Sequence, residues 1–247
     1  MMSKENPIFG SKAVLEAILA GKTIDKIFID KDTKNADYQS IFNAIRYKQI
    51  PCSRVPVAKL NKLVPLNHQG IVALLSPVPL VTLSHIVQDT YEKGELPLII
   101  ILDGVTDVGN LGAIVRTAVC VGAHALVLPK QGSASLGSGA MKTSAGALAH
   151  LPICREANLQ ASINYLQNSG LQVIACHEKT QTSIYQVKLT VPTAILLGSE
   201  DKGIQPQLLN KVDVQASIPM VGPISSLNVS VAAAIILYES FRQRNNI

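Results

Sequence analysis

The sequence predicts an α/β protein in which residues 96–247 form a parallel sheet covered by helices on both faces. Five strand candidates are apolar at nearly every position, as expected for strands buried on both faces: LPLIIILD, HALVLP, LQVIAC, TAILLGS and VQASIPM. Helical stretches that start near Asn110, Asn158 and Leu227 alternate with these strands. Ligands of such sheets gather at the carboxyl ends of the strands, so we expect the functional loops there.

The first third of the chain reads as a smaller α/β unit. An N-terminal helix, NPIFGSKAVLEAILAG, is followed by strand-like IDKIFID, helix-like YQSIFNAIRYK and strand-like GIVALLS. Residues 76–95 combine prolines with a short amphipathic stretch and predict a linker with about one helical turn. We therefore divide the chain into a domain at 1–75, a linker at 76–95 and a second domain at 96–247.

Composition restricts the class of protein. Of the 247 residues, 47% are hydrophobic and 16% charged, which is typical of a globular protein. The longest apolar runs fall short of the ~20 residues of a membrane helix, and the N-terminus lacks the apolar core of a signal peptide. We expect a soluble, cytoplasmic protein without a membrane partner. The four cysteines and five histidines are scattered and form no C-x-x-C pair, so neither a zinc site nor a disulfide framework is predicted.

The positive charge is concentrated at one end of the chain. Residues 1–75 hold 11 Lys and Arg against 6 Asp and Glu, whereas residues 76–247 hold 11 of each. The net charge of +5 therefore lies in the first third. A solvated surface would explain it, and so would a surface that binds a polyanion, most simply nucleic acid.

The loop after the first strand of the second domain resembles a phosphate-binding loop only in part. Gly104 and Gly109 have the spacing of P-loop glycines, but Asn110 and Leu111 occupy the positions of its Lys and Ser/Thr. The stretch GSASLGSG fails in the same way, and no G-x-G-x-x-G follows the strand. The sequence therefore disfavours ATP and dinucleotide sites.

Arg116 is the only charged residue between Asp107 and Lys130. Burying an unpaired guanidinium costs free energy. Arg116 therefore either pairs with a carboxylate, for which Asp103 and Glu200 are candidates, or faces a cleft where an anion binds.

Two later loops also follow strand candidates. In LLGSEDKGI, Gly198 and Gly203 permit close backbone approach and Glu200 places a carboxylate at the end of a strand. The stretch IPMVGPISSLNVSVAAAIILYESFRQR begins like a strand and ends like a helix, yet its middle is polar. Its polar residues are Ser225, Ser226, Asn228 and Ser230. One helix N-cap needs one such residue, so four within six positions favour a site over capping alone.

Together the three loops resemble the three ordered motifs of the SpoU/TrmH ribose 2′-O-methyltransferases of the SPOUT superfamily. The motifs are DGVTDVGNLGAIVRTA, LLGSEDKGI and IPMVGPISSLNVSVAAAI, and they span most of residues 98–240 in the right order. In the first third, IFGSKAVLEAI and HQGIVALL resemble the substrate-binding domain of bacterial members that act on guanosine in 23S ribosomal RNA.

The resemblance implies a fold and a cofactor. The second domain would be a parallel-sheet methyltransferase domain with a deep trefoil knot, preceded by a small α/β domain like ribosomal protein L30e. The knot would bind S-adenosylmethionine, largely through backbone groups of Gly198, Ile218 and Leu227. Loops around the cofactor would be shaped by Ser199, Glu200, Gly203 and Met220. RNA would be the substrate, and two chains would pair as a homodimer through the knotted domain.

The resemblance also implies which residues act on the substrate: Asn110, Arg116, Glu200, Ser226 and Asn228. Ser226 and Asn228 would face the catalytic cleft, while Leu227 and Val229 pack inward. Arg116 would either clamp the target phosphate and ribose or act as the base, and an arginine pKa of about 12.5 or more favours the clamp. Asn110 and Glu200 would hold Arg116 and the loop in place.

One departure and two alternative functions stay open. Asp201 and Lys202 stand where many relatives have an acid-glycine pair, so a loop contact could differ. A non-catalytic RNA-binding protein that keeps the knot, or a different nucleotide-using α/β enzyme, would also have this architecture. The target RNA, ribosomal or transfer RNA, is open as well, because a basic surface reports phosphate and not sequence.

Overall fold

A computed structural model describes residues 7–33, 38–199, 201–224 and 226–247 of the chain. The chain divides into two compact units. The first comprises Met1–Pro79 with Ser135–Gly139, and the second comprises Leu80–Ala134 with Ala140–Ile247. The domain limits proposed from the sequence stay a prediction.

The first unit contains a four-stranded mixed sheet. Its strands lie in the order β1 (Ile8–Phe9), β4 (Ile71–Leu75), β2 (Ile24–Asp30) and β3 (Cys52–Val55). Only the pair of β2 and β3 is parallel. The helices are α1 (Ser11–Leu19), α2 (Tyr38–Lys48) and α3 (Val57–Leu63).

Side chains of β2 alternate between the two faces of this sheet, as in any pleated strand. Ile27 and Ile29 belong to the core cluster that includes residues of α1 and α2. Phe28 belongs to a second cluster on the opposite face, together with Leu60 of α3 and Val72 of β4. The apolar positions of IDKIFID therefore supply both cores.

The second unit contains a six-stranded sheet in which every pair is parallel. The order is β10 (Val214–Ala216), β8 (Gln172–Cys176), β9 (Thr193–Gly198), β5 (Leu98–Asp103), β6 (Ala125–Pro129) and β7 (Ile153–Glu156). This sheet confirms the predicted α/β fold with a parallel sheet. The trefoil knot stays a prediction.

The remaining helices lie before, between and after these strands in the chain. They are α4 (Leu83–Glu92), α5 (Val108–Cys120), α6 (Ser138–Thr143), α7 (Leu159–Asn168), α8 (Pro206–Leu209) and α9 (Val229–Asn245), with 3-10 turns at Ala147–Ala149 and Ile184–Gln186. Within the described ranges, no helix is long and apolar enough to cross a membrane.

Strand order places two loops side by side. The chain runs outward from β5 through β6 to β7 on one side, whereas β9 and β8 lie on the other side of β5. Asp103 at the end of β5 pairs with Gly198 at the end of β9. The loops that follow these two strands therefore begin next to each other, where α/β sheets bind ligands.

The structure differs from the sequence prediction in several elements. Ile8 and Phe9, predicted within the N-terminal helix, form β1, and α1 begins only at Ser11. The predicted linker carries the ten-residue helix α4, capped by Thr82, whose apolar side chains join the core of the second unit. Strand β10 ends at Ala216, because Ser217 turns away to bond Thr182. Strand β7 was not predicted, because half of its four residues are charged.

Arg244, in the last turn of α9, binds the amino-terminal side of the six-stranded sheet. Its guanidinium donates to the carbonyl oxygens of Leu96 (2.7 Å), Pro97 (3.1 Å), Leu189 (3.0 Å) and Val191 (2.8 Å). Burial lowers the pKa of Arg244. These acceptors precede β5 and β9, so one side chain ties the last helix to the amino ends of the two central strands.

Candidate active site

Two clefts lie at the carboxyl ends of the central strands. The first has a volume of about 480 Å³ and is bounded by the ends of β8 and β9, the segment from Ile218 to Asn228, and the start of α9. All six residues expected to bind the cofactor line it: Gly198, Ser199, Gly203, Ile218, Met220 and Leu227. The structure thus brings together residues from two separate sequence motifs.

Gly198 is required at the end of β9 because two backbone segments meet there. A Cβ atom on this residue would lie 2.1 Å from the carbonyl carbon of Gly203 and 2.3 Å from the backbone nitrogen of Ile204. No side chain fits in this space. The glycine expected from LLGSEDKGI therefore permits close contact within the loop itself.

The loop after β9 closes on itself by backbone hydrogen bonds. The amide of Ser199 donates to the carbonyl of Gly203 (3.2 Å), and the amide of Gly203 donates to the carbonyl of Ser199 (2.9 Å). Ser199 Oγ also accepts from the backbone amide of Lys202 at 3.2 Å. Gly203 has a φ of +64°, which favours glycine. Glu200, expected to act in this loop, lies outside the described residues.

The second cleft, of about 510 Å³, opens beside the loop after β5 and shares Ser199, Asp201, Lys202 and Gly203 with the first cleft. Asp103 lines it but is almost fully buried. Its two carboxylate oxygens accept from the backbone amide (2.8 Å) and side-chain amide (2.6 Å) of Gln205. Asp103 therefore pairs with Gln205, and the alternative in which it pairs with Arg116 is wrong.

Asn110 and Asn228 meet although 118 positions separate them. Asn228 is the N-cap of α9, where its Oδ1 accepts from the amide of Ser230 at 2.9 Å. Its Nδ2 donates to Oδ1 of Asn110 at 3.0 Å. Asn110 lines the second cleft and Asn228 the first. Asn228 thus combines a capping role with a link between the clefts.

The residues around Asn228 differ in their surroundings. Ser226 lines the first cleft, as expected. Val229 is buried, but Leu227 is 38% exposed on the cleft wall, so the expectation that it packs inward is wrong. The reason is that the helix begins only after Asn228, and the residues before it are not held against the core. Ser225 lies outside the described residues.

Arg116 is not brought together with the other candidate residues. Its side chain is exposed on α5 and lines neither cleft. It makes no hydrogen bond or ion pair with any residue that the structure describes. Arg116 thus faces neither of the two clefts, and its expected contact with the RNA phosphate and ribose stays a prediction.

The first cleft also contains residues that the sequence analysis did not single out. His177, Glu178 and Lys179 follow β8 and line its wall. Cys176 lines it too, and burial raises the pKa of this thiol to about 12. Strands β8 and β9 are parallel neighbours, so their carboxyl ends lie on the same side of the sheet. The residues that follow β8 could therefore have been expected beside the loop that follows β9. No cluster suited to a metal ion occurs among the described residues.

Comparisons with known proteins agree with this arrangement. The model of the SpoU rRNA Methylase family matches residues 97–238, and the model of the RNA 2′-O ribose methyltransferase substrate-binding domain matches residues 7–81. A protein of Staphylococcus haemolyticus given as a TrmH family tRNA/rRNA methyltransferase is 35% identical over 240 residues, which cover 97% of this chain and 96% of the relative.

Solved structures give the same family. An RNA 2′-O ribose methyltransferase, 26% identical, matches 98% of this chain and 90% of its own with a TM-score of 0.57. A TrmH/SpoU tRNA modifying enzyme of A. aeolicus, 30% identical, matches 66% of this chain and 84% of its own with a TM-score of 0.57. The resemblance of the three loops is thus confirmed, and the chain belongs to the SpoU/TrmH family of RNA methyltransferases.

Proposed function

We propose that this protein transfers a methyl group from S-adenosylmethionine to a ribose 2′-hydroxyl of RNA in the cytoplasm, with a guanosine of 23S ribosomal RNA as its target. The observation that carries the proposal is the convergence of the six expected cofactor residues on one cleft, which the bond between Asn228 and Asn110 joins to a second cleft. One cleft would hold the methyl donor and the other the acceptor.

The first cleft fits the chemistry of S-adenosylmethionine. Exposed apolar side chains of Met220 and Leu227 offer a surface for a flat base, and Gly198 and Gly203 place backbone without side chains at the cleft wall. When bound, S-adenosylmethionine supplies an electrophilic methyl group on its sulfonium. The task of the chain is then to orient the acceptor and to exclude water.

The acceptor side would depend on Asn110, Ser226 and Asn228. Asn110 lies in the second cleft, and the amides of Asn110 and Asn228 hold each other in place. Ser226 and Asn228 line the first cleft, and Asn228 is joined to the second by its bond to Asn110, so both would hydrogen-bond the target nucleotide where the two clefts adjoin. We assign Arg116 to the RNA phosphate and ribose and not to proton removal, because a guanidinium offers a fork of N–H donors that suits phosphate oxygens.

Pairing of two chains through α9 belongs to the same proposal. Val231 and Tyr238 are 46% and 60% exposed on this helix, which packs against α5. A two-fold dimer through this surface would cover both side chains and bring Arg116 of α5 to the subunit boundary. Sedimentation at low micromolar concentration tests the pairing, and a fully active monomer would contradict it.

Methyl transfer can be measured directly. The protein is incubated with S-adenosylmethionine carrying a labelled methyl group and with either bacterial 23S ribosomal RNA or bulk transfer RNA, both lacking the modification. We expect label in 23S RNA at one guanosine, in a linkage that resists alkaline hydrolysis because the 2′-hydroxyl is blocked. Label only in transfer RNA would favour the function named for the A. aeolicus structure. Cofactor binding without label in any RNA would favour the non-catalytic alternative.

A further inference from the structure

Two lysine side chains of the first unit share one aromatic ring. The ammonium of Lys26 in β2 lies 5.4 Å from the ring centroid of Phe28, and that of Lys59 in α3 lies 5.1 Å from it. The ring itself is buried against the core of this face. Cation–π contacts of this length orient an ammonium without neutralising its charge.

The same face of the sheet carries little negative charge. Helix α3 has the sequence VAKLNKL, so Lys62 stands one turn after Lys59 and no acid accompanies them. The strand positions opposite Phe28 and Lys26 on β4 are Val72 and Leu74.

The charged residues nearest to this face on β2 and β3 are otherwise occupied or turned away. The carboxylate of Asp25 is buried and accepts from Ser135 Oγ (2.7 Å) and from the amide of Leu136 (3.0 Å). Asp30 accepts from the amide of Asp32 at 3.2 Å. Arg54 of β3 lies over Phe42 of α2, on the other face. Among the residues of β2, β3, β4 and α3, Asp30 is therefore the one acid at a position on this face.

Lys59 and Lys62 are exposed and form no ion pair with any carboxylate that the structure describes. We propose that Lys26 and Lys59, positioned by Phe28 and flanked by Lys62, form a binding site for the phosphodiester backbone of the RNA substrate. This site rests on the proposed function, because it is the first unit that would bring RNA to the methyltransferase site. It assigns part of the +5 charge of residues 1–75 to named side chains.

The site gives a specific salt dependence. Each phosphate that a lysine neutralises releases counterions and adds about 0.7 to 0.9 to the slope of log affinity against log salt concentration. Replacing both lysines (Lys26→Gln with Lys59→Gln) should lower this slope by about 1.4 to 1.8 and weaken binding at low salt by about tenfold or more. The affinities of variant and parent protein should converge as salt rises, because the lost contribution is electrostatic.

The matched control replaces two other lysines of the same unit. Lys12 and Lys22 are exposed, and Lys12 lies on α1, which packs on the opposite face of the sheet. The variant Lys12→Gln with Lys22→Gln removes the same charge, so long-range attraction falls equally in both proteins. We expect its salt slope to change by less than half as much. A third variant, Phe28→Leu, keeps both charges and removes the ring that positions them, and should weaken binding by a smaller factor.

The experiment measures binding of in-vitro-transcribed bacterial 23S ribosomal RNA by filter retention over a series of salt concentrations. Calorimetry with S-adenosylmethionine is run on each variant and should give the parent affinity, because all substitutions lie in the first unit. Equal slopes for the two double variants would overturn this site while leaving the methyltransferase proposal intact. A parent protein that shows no salt-dependent RNA binding would overturn both.

Discussion

Replacing Gly198 by alanine should disturb the cofactor cleft more than any conservative substitution on its rim. The new Cβ would sit 2.1 to 2.4 Å from three backbone atoms of Gly203 and Ile204. Neither segment can rotate away as a side chain could, so the loop must move by about 1 Å to reach ordinary contact distance. That shift pulls apart the two backbone hydrogen bonds between Ser199 and Gly203.

The cost follows from these two effects. Overpacking of a closely packed site costs about 1 to 3 kcal/mol, and each lost hydrogen bond about 1 kcal/mol. Because the loop can relax partly toward solvent, we expect Gly198→Ala to lower the free energy of unfolding by about 2 to 4 kcal/mol. The displaced loop also forms the wall of the first cleft, so affinity for S-adenosylmethionine should fall by at least about tenfold, which corresponds to 1.4 kcal/mol.

Urea unfolding and calorimetric titration with S-adenosylmethionine measure the two effects. Gly222→Ala is the first control: it lies in the chain between Met220 and Ser226, which line the same cleft, and its own Cβ would meet no atom within 4 Å. Gly112→Ala is the second, since its Cβ would meet the backbone of Thr143 at 2.7 Å, outside the lining of either cleft. It should destabilise the protein without weakening the cofactor affinity of the folded fraction. Parent-like stability and affinity in Gly198→Ala would refute this account of the loop.

Three further predictions concern single side chains. The variant Asn228→Ser keeps an N-cap, but its shorter side chain cannot reach Asn110. Its free energy of unfolding should stay within about 0.5 kcal/mol of the parent value, while methyl transfer should fall about a hundredfold. The variant Asn228→Ala should lower the free energy of unfolding by a further amount of about 0.5 to 2 kcal/mol, the value of the N-cap. For Arg116→Ala we expect nearly unchanged cofactor affinity and methyl transfer reduced by more than about a hundredfold, and normal turnover by the folded variant would exclude the clamp. With a pKa of about 12, Cys176 is thiolate in only about one molecule in 10,000 at pH 8. Mass spectrometry after iodoacetamide treatment should therefore find exposed Cys120 alkylated and Cys176 free, and equal labelling would contradict the raised pKa of Cys176.

Elements with long apolar runs were predictable because burial on both faces leaves a strong signal in sequence. Strand β5 is the predicted LPLIIILD without its first two residues, and β9 is the predicted TAILLGS without its last. Helix α4 was underestimated, because the prolines before it suggested a linker and only its docked face is apolar. Strand β7 has four residues, of which two are charged, so its sequence does not read as a strand. It becomes a strand by pairing with β6 at the edge of the sheet.

The lining of the first cleft was easier to predict than the acceptor side. Gly198, Met220 and Leu227 were singled out from the motifs and all three line this cleft, while their contact with the cofactor stays a prediction. The bond between Asn110 and Asn228 joins residues 118 positions apart, and no local pattern contains such information. The solvent position of Arg116 was also beyond sequence reasoning, because its isolation among apolar residues equally suggested a buried pair.

The way α9 is fastened to the sheet bears on behaviour in acid. The side chain of Glu239, also on α9, is buried and accepts hydrogen bonds from Arg242, which lowers the pKa of Glu239 below its ordinary value. The carboxylate of Glu239 therefore stabilises the folded state at pH values above its pKa in the unfolded chain. This stabilisation is lost as the pH falls through the pKa of Glu239 in the folded protein. The four acceptors of Arg244 are carbonyl oxygens, which gain no proton across the same range. Acidification should thus loosen the network around Glu239 first and leave the last helix attached to the strands until the fold as a whole gives way.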